Sequence, residues 1–250
     1  MLKDRIRGWC QQLLGLERYL FVFARVQVFR TRYLGHQPEF RFFMQLIHQE
    51  GILLDIGANI GTMTVLLARQ FPQCRVYAFE PVPMHVRTVR KLAALFGLQN
   101  VTVFETALGN TEGMLTMVTP TREKSSMHGL SYVWQGPAGT EPPGAFAVPV
   151  TTLDNHPALQ QAQRISAVKM DVENFEYYVL LGGRELLRRH RPVVFAELWN
   201  DAKRPLCMQL MRELGYSAAI FKKGRLVEYR GEDALNYFFL PGKEGQVQDV

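Results

Sequence analysis

At 250 residues the chain can bury one sizeable core and still carry an extension or a small subdomain. An apolar content of 47%, a charged content of 21% and a net charge of +6 are those of a globular protein with a mild preference for anionic partners, and no stretch is long and apolar enough to cross a membrane. Cys10, Cys74 and Cys207 lie far apart, with no C-x-x-C pair and no histidine cluster, which argues against a structural zinc and for a reducing compartment.

Residues 2–34 have helical patterning with a break at Gly15. From Leu16 to Leu34, Arg18, Arg25 and Arg32 recur every seven residues and share one helix face, while Leu20, Phe21, Phe23, Val26, Phe29 and Tyr33 cover much of the remainder. The first 50 residues hold eight Lys and Arg against four acids, so most of the net charge lies here. The plain expectation is a helix across the main domain with its arginines in solvent; a homodimer interface and an acidic membrane surface are the alternatives. A short helix from Glu39 to His48 follows and closes at Gly51. Residues 1–49 therefore read as a helical extension ahead of a domain spanning 50–250. The N-terminal residues lack the apolar core and small-residue cleavage site of a secretion signal, so a cytoplasmic location is expected, with peripheral membrane contact through the basic helices as its variant.

Ile52 to Ile56 is an apolar strand carrying Asp55; Gly57 and Gly61 then break the chain before a helix from Met63 to Phe71. A glycine turn lets a ligand approach the backbone, and the helix N-terminus offers unpaired N–H groups. Arg75 to Phe79 is a second buried strand ending in Glu80 before Pro81. An acid about 20 residues past such a turn accepts hydrogen bonds from ribose hydroxyls. Dinucleotide sites carry G-x-G-x-x-G, which Gly57-Ala58-Asn59-Ile60-Gly61 lacks. An acid just ahead of the turn suits the ammonium and sulfonium of S-adenosylmethionine, so the methyl donor is the better match.

His85 to Phe96 reads as a helix capped by Gly97. Val101 to Phe104 is a third strand, leading to Glu105-Thr106-Ala107-Leu108-Gly109 beside the place of a nucleotide base. Met114 to Val118 and Phe146 to Thr152 are strand-like. Between them residues 119–145, rich in Pro, Gly and Ser, read as a lid or substrate loop presenting Tyr132 and Trp134. Ala167 to Val172 is the next core strand, followed by Glu173-Asn174-Phe175-Glu176 and one helix through Leu187; Pro192 to Leu198 is a strand that reaches Glu197. Helix 203–214 and strands Ser217 to Phe221 and Asn236 to Leu240 complete the chain. The alternation predicts an α/β fold with a doubly wound, mostly parallel sheet and one antiparallel strand near the C-terminus.

In such a sheet ligands bind at the carboxyl ends of the strands, where Asp55, Glu80, Thr106, Asp171, Glu173 and Glu197 collect. The segments Leu54-Asp55-Ile56-Gly57-Ala58-Asn59-Ile60-Gly61, Phe79-Glu80-Pro81, Ala107-Leu108-Gly109, Thr152-Leu153-Asp154 and Lys169-Met170-Asp171-Val172-Glu173 together resemble the FkbM family of S-adenosylmethionine-dependent methyltransferases. The similarity spans roughly residues 50–200. It implies a class I methyltransferase (Rossmann-like) fold and O-methylation of a glycan or secondary-metabolite hydroxyl. It also implies that Gly57, Ala58, Asn59 and Gly61 form the donor loop beside Asp55, that Glu80 with Pro81 holds the ribose, and that Thr106 and Ala107 border the adenine. Where the family has glycine this chain has Asn174, a residue that tolerates a left-handed backbone.

Methyl transfer to a hydroxyl needs aligned atoms and removal of a proton. Asp171, Glu173, Glu197 and Lys169 are the candidate catalytic residues, with Asp171 or Glu197 as base. Lys169, two residues before Asp171 and on the same strand face, would orient the base. His128 is a lesser candidate from the loop. A metal-free site is favoured over a magnesium ion held by Asp171, Glu197 and Asn200. The expected partner is a small-molecule or glycan acceptor. RNA ribose 2′-O-methylation and a non-catalytic donor-binding partner subunit are the alternative functions. No basic patch with interleaved aromatics flanks the core, which disfavours RNA, and DNA is not an expected partner.

Overall fold

The computed structural model describes residues 2–48, 50–122, 125–126, 131–137 and 139–242. Its elements begin with α1 (Leu2–Leu14), α2 (Leu16–Tyr33), α3 (Pro38–Gln45), β1 (Ile52–Ile56), α4 (Thr62–Gln70), β2 (Arg75–Phe79), α5 (Pro83–Leu95) and β3 (Val101–Phe104). Next come β4 (Ala107–Gly109), β5 (Gly113–Val118), β6 (Thr121–Arg122), β7 (Ser125–Ser126), β8 (Tyr132–Val133), β9 (Phe146–Thr152), α6 (Pro157–Gln160) and β10 (Ile165–Met170). The chain ends with α7 (Glu176–Leu181), α8 (Arg184–His190), β11 (Val193–Glu197), α9 (Lys203–Glu213), β12 (Tyr216–Lys222), β13 (Arg225–Glu228) and β14 (Asn236–Pro241).

The short apolar runs pair into one sheet in the order β13-β12-β14-β11-β10-β1-β2-β3. The strands from β3 across to β11 are parallel, so both faces must be covered. β14 enters antiparallel between β11 and β12 and is the reversed strand expected near the C-terminus. The edge strand β13 was not foreseen, because Arg-Leu-Val-Glu is short and half polar.

Alternation along the strands divides the core in two. Leu53, Ala167, Phe195 and Phe238 face α2, α3 and α4. There Leu20, Ala24 and Val28, spaced four apart on α2, join Phe40 and Phe43 of α3, and Phe43 stacks on Phe195 at 5.3 Å. Residues 16–47 thus share one core with the sheet. On the other face Leu54, Ile56, Val168 and Met170 pack against α7, α8, α9 and a second sheet.

That second sheet, β4-β9-β5-β8, is an addition to the expected architecture. Within the stretch read as a loop, β8 pairs with β5 (Met117 with Val133, Val118 with Tyr132), and Trp134 N–H donates to Thr116 O at 2.8 Å. The single helix expected through Leu187 is two, α7 and α8, broken at Gly182 and Gly183. A Cβ at Gly182 would lie 2.0 Å from Gly109 O, so β4 presses the backbone there. Asp154 caps α8, its Oδ1 accepting from Leu186 N–H at 2.8 Å and its Oδ2 from Glu185 N–H at 3.2 Å.

Candidate active site

Parallel pairing sets Asp55 between Ala78 of β2 and Lys169 of β10. The chain leaves β1 at Gly57 (φ +71), where the N–H groups of Gly57 and Ala58 both donate to Phe79 O. A Cβ on Gly57 would lie 1.9 Å from the carbonyl oxygen of Asp171, so this glycine is required by protein backbone before any ligand enters. Asn59 follows at φ +49, and its N–H donates to Glu80 Oε2 at 2.7 Å. Glu80 Oε1 accepts from Val82 N–H at 3.0 Å and from His85 Nδ1 at 3.2 Å. A carboxylate only accepts, so Nδ1 carries the proton of that bond. Three donors therefore fix Glu80 in the wall of a cavity that also includes Gly57, Asn59, His85, Thr106 and Asp171. Asn59 Oδ1 is buried and accepts nothing among the described residues, as an acceptor reserved for a ligand or water would be.

Asp55 stands behind the turn rather than in the cavity. It is fully buried; Oδ2 accepts from Thr64 Oγ1 at 2.6 Å, and Oδ1 lies 3.1 Å from Lys169 Nζ. Lys169 also donates to Gly57 O at 2.8 Å. The orienting role expected of Lys169 toward Asp171 therefore gives way to a clamp on Asp55 and the turn. Strand geometry supplies the reason. Residues two apart on one strand are separated by about 6.6 Å, whereas register neighbours on adjacent strands are about 4.8 Å apart.

Beyond β10 the backbone passes through two consecutive left-handed residues, Glu173 (φ +52) and Asn174 (φ +69). Glu176, 3% exposed in the first turn of α7, reaches back so that Oε1 accepts the Val172 N–H at 2.9 Å. With Asp171 and Glu197 these form a carboxylate cluster. Burial raises Asp171 above the usual range; Lys169 opposes that shift, and Asp55 and Glu80 add to it. Burial, then repulsion from Asp171, Glu197 and Glu176, pushes Glu173 up to about 8. Burial likewise brings Glu176 and Glu197 to about 7. Burial draws Lys169 down, but Asp55 and Asp171 outweigh it and hold its pKa above the ordinary value. Glu173, Glu176 and Glu197 are thereby brought to exchange protons near neutral pH, beside an Asp171 raised in the same direction. Asn200 is engaged by the Arg204 guanidinium. Among the described residues no three His, Cys, Asp or Glu side chains are grouped to hold a metal ion.

A second cavity, of about 300 Å³, lies on the other side of the turn. Gln27, Arg30 and Thr31 of α2, His36 and Gln37 of the following link, and Thr62, Lys169 and Asp171 give it a polar lining. The Arg30 guanidinium donates to His36 Nε2 at 2.9 Å. Gly57, Asn59 and Asp171 line both cavities.

Of the residues singled out in the sequence, Gly57, Asn59, Glu80, Pro81, Thr106, Ala107, Asp171 and Glu173 line the first cavity. Ala58 and Lys169 line only the second. Asp55, Gly61 and Glu197 line neither; a Cβ on Gly61 (φ +84) would crowd Val89 at 3.1 Å. Ser131 and Val133 line the first cavity, while Tyr132 and Trp134, one residue out of step, do not. His128 lies outside the described residues. His85 and Glu176 were missed. Their signals were an imidazole in the helical turn after Glu80 and a carboxylate at helical spacing from Glu173.

Residues 55–218 match the Methyltransferase FkbM domain. Methyltransferase sdnD of Sordaria araneosa is 27% identical over 66% of this chain and 73% of its own. Methyltransferase 1 of Beauveria bassiana (strain ARSEF 2860) is 29% identical over 27% of each chain. The crystal structure of Methyltransferase FkbM from Methylobacillus flagellatus KT superposes with a TM-score of 0.50 at 15% identity, over 76% of this chain. The present chain spans 44% of that crystallised one, and the likeness is one of fold.

Proposed function

The chain belongs to the FkbM family of methyltransferases, and on that premise we propose that it transfers a methyl group from S-adenosylmethionine to a hydroxyl of a glycan or secondary metabolite. The observation that carries this reading is the pair of cavities meeting at Gly57, Asn59 and Asp171. The first suits the donor. Its Glu80 carboxylate is held ready for a ribose hydroxyl, Thr106 and Ala107 edge the place of the base, and Asn59 Oδ1 is a waiting acceptor. The second suits the acceptor, since Gln27, Arg30 and His36 offer a polar hydroxyl-bearing molecule several hydrogen bonds.

When bound, S-adenosylmethionine supplies an electrophilic methyl group; the protein's own work is alignment and proton removal. We assign the base to Asp171, which faces both cavities and whose raised pKa gives it more proton affinity than an ordinary aspartate. Glu173, near 8, adjoins it and keeps its own proton at neutral pH, which leaves Asp171 as the accepting carboxylate. Lys169 keeps the turn and Asp55 in place behind the reacting atoms. The assignment runs without a metal, with Asp171 in the role a bound cation would otherwise assist. Titration calorimetry with S-adenosylhomocysteine, followed by labelled-methyl transfer to candidate alcohols, tests it. Donor binding with transfer abolished in Asp171→Asn is expected. A folded protein that binds neither donor nor product would overturn the reading.

A further inference from the structure

The arginine stripe of α2 is in solvent as its sequence suggests, but its outer face also carries exposed apolar side chains. The helix buries Leu20, Ala24, Val28 and Thr31. On the opposite side Val22, Val26, Phe29 and Tyr33 are 47%, 48%, 55% and 61% exposed, with Arg25 and Arg32 exposed among them. Beside this stripe runs a groove of about 540 Å³, whose far wall is Arg69, Leu95 and Phe96 at the ends of α4 and α5. Guanidinium groups lie over rings here, Arg32 over Tyr33 at 5.4 Å and Arg69 over Phe96 at 5.2 Å. Together α2, α4 and α5 carry eight Arg and Lys but one acid, Glu17, an excess larger than the +6 of the whole chain. Glu17 is already held by Lys91 at 2.7 Å and Arg87 at 3.5 Å.

We propose that this face docks on an anionic lipid bilayer, with Val22, Val26, Phe29 and Tyr33 entering the headgroup–acyl boundary and Arg25, Arg32 and Arg69 meeting lipid phosphates. Exposed apolar side chains gain only where the partner offers an apolar phase. A nucleic-acid backbone offers anions alone. A second copy offers apolar surface, but a two-fold contact would set this acid-poor face against itself, arginine toward arginine. An anionic bilayer matches both components. No helix among the described residues is long and apolar enough to cross a membrane, so the contact is interfacial.

The test is flotation of the full chain with vesicles of phosphatidylcholine, alone or mixed with phosphatidylglycerol. Binding is expected only to the mixed vesicles. The triple variant Arg25→Gln, Arg32→Gln, Arg69→Gln should lose affinity roughly a hundredfold, and Val26→Ser with Phe29→Ser roughly tenfold. All five side chains are exposed, so unfolding temperature and donor affinity should not move and serve as controls. Equal binding to neutral vesicles, or none to either, would overturn the proposal. So would unchanged affinity in the Phe29 variant, which leaves only a cation patch, or a concentration-dependent dimer that the same variant dissociates.

Discussion

Glu80→Gln probes the donor site, and the structure sets what the change removes. Oε1 of Glu80 serves Val82 N–H and His85, while Oε2 serves Asn59 N–H. An ionised carboxylate has about four acceptor sites, so about one is left for a ligand hydroxyl, on the Oε2 side. Glu80→Ala would orphan three buried donors at about 1–3 kcal/mol each and so confuse folding with binding. The glutamine keeps the shape and, with its oxygen toward Val82 and His85, keeps two of the three protein bonds. Its amide then opposes Asn59 N–H and cannot accept from the ligand. Loss of one charge-assisted bond, about 1.5–3 kcal/mol, weakens donor affinity roughly 10- to 150-fold. Titration calorimetry with S-adenosylhomocysteine reads that term, and urea unfolding of the free protein separately reads the lost Asn59 bond. Affinity within about twofold of wild type, with stability unchanged, would remove Glu80 from the donor site.

Gly57→Ala should cost well over about 1 kcal/mol and abolish donor binding, because its Cβ meets Asp171 O at 1.9 Å. Gly97→Ala, at φ +63 with nothing within 4 Å, isolates the backbone strain alone, and equal losses in urea unfolding would deny the clash. For Glu176 the folded pKa near 7 exceeds the ordinary 4.5, so the folded state keeps a proton that the unfolded chain has released, and stability falls as pH rises across that interval. Glu176→Gln retains an acceptor for Val172 N–H and should flatten that fall by roughly 2 kcal/mol between about pH 5 and about pH 8; parallel unfolding curves for both proteins would refute it. The sulfonium charge beside Asp171 and Glu173 should lower both pKa values, so S-adenosylmethionine should release more protons on binding than S-adenosylhomocysteine, which lacks that charge. Calorimetry in buffers of different ionisation enthalpy measures this, and equal proton counts would place both carboxylates away from the donor.

The parallel half of the sheet was legible because its signals are local. Ile52–Ile56, Arg75–Phe79 and Val101–Phe104 are short apolar runs bounded by glycine, proline or acid, and the strands end where those runs end. What was not legible depends on residues distant in sequence. The partner of Asp55 is Lys169, brought alongside by strand register and not by spacing. The second sheet joins Ala107–Gly109 to Phe146–Thr152 across a stretch of weak periodicity, where a single added pair, Tyr132 and Val133, decides which side chains meet the cavity. The break falls at Gly182 and Gly183, and the close approach of Gly109 O, 2.0 Å from where a Gly182 Cβ would be, is a contact between distant segments that no helical pattern encodes.

The same dependence on distant contacts explains why α2 and α3 cannot be treated as a detachable extension. α2 buries Leu20, Ala24, Val28 and Thr31, turns Gln27 and Arg30 toward the second cavity, and leaves Val22, Val26, Phe29 and Tyr33 outside. With about 3.6 residues per turn, these sets occupy three sectors of one cylinder. The buried sector is packed on fully enclosed side chains, so the helix moves as a body or not at all. Any surface that grips the outer sector therefore acts on the cavity wall as well. On the readings proposed above, one element would both hold the protein at an anionic surface and shape the space that receives the acceptor.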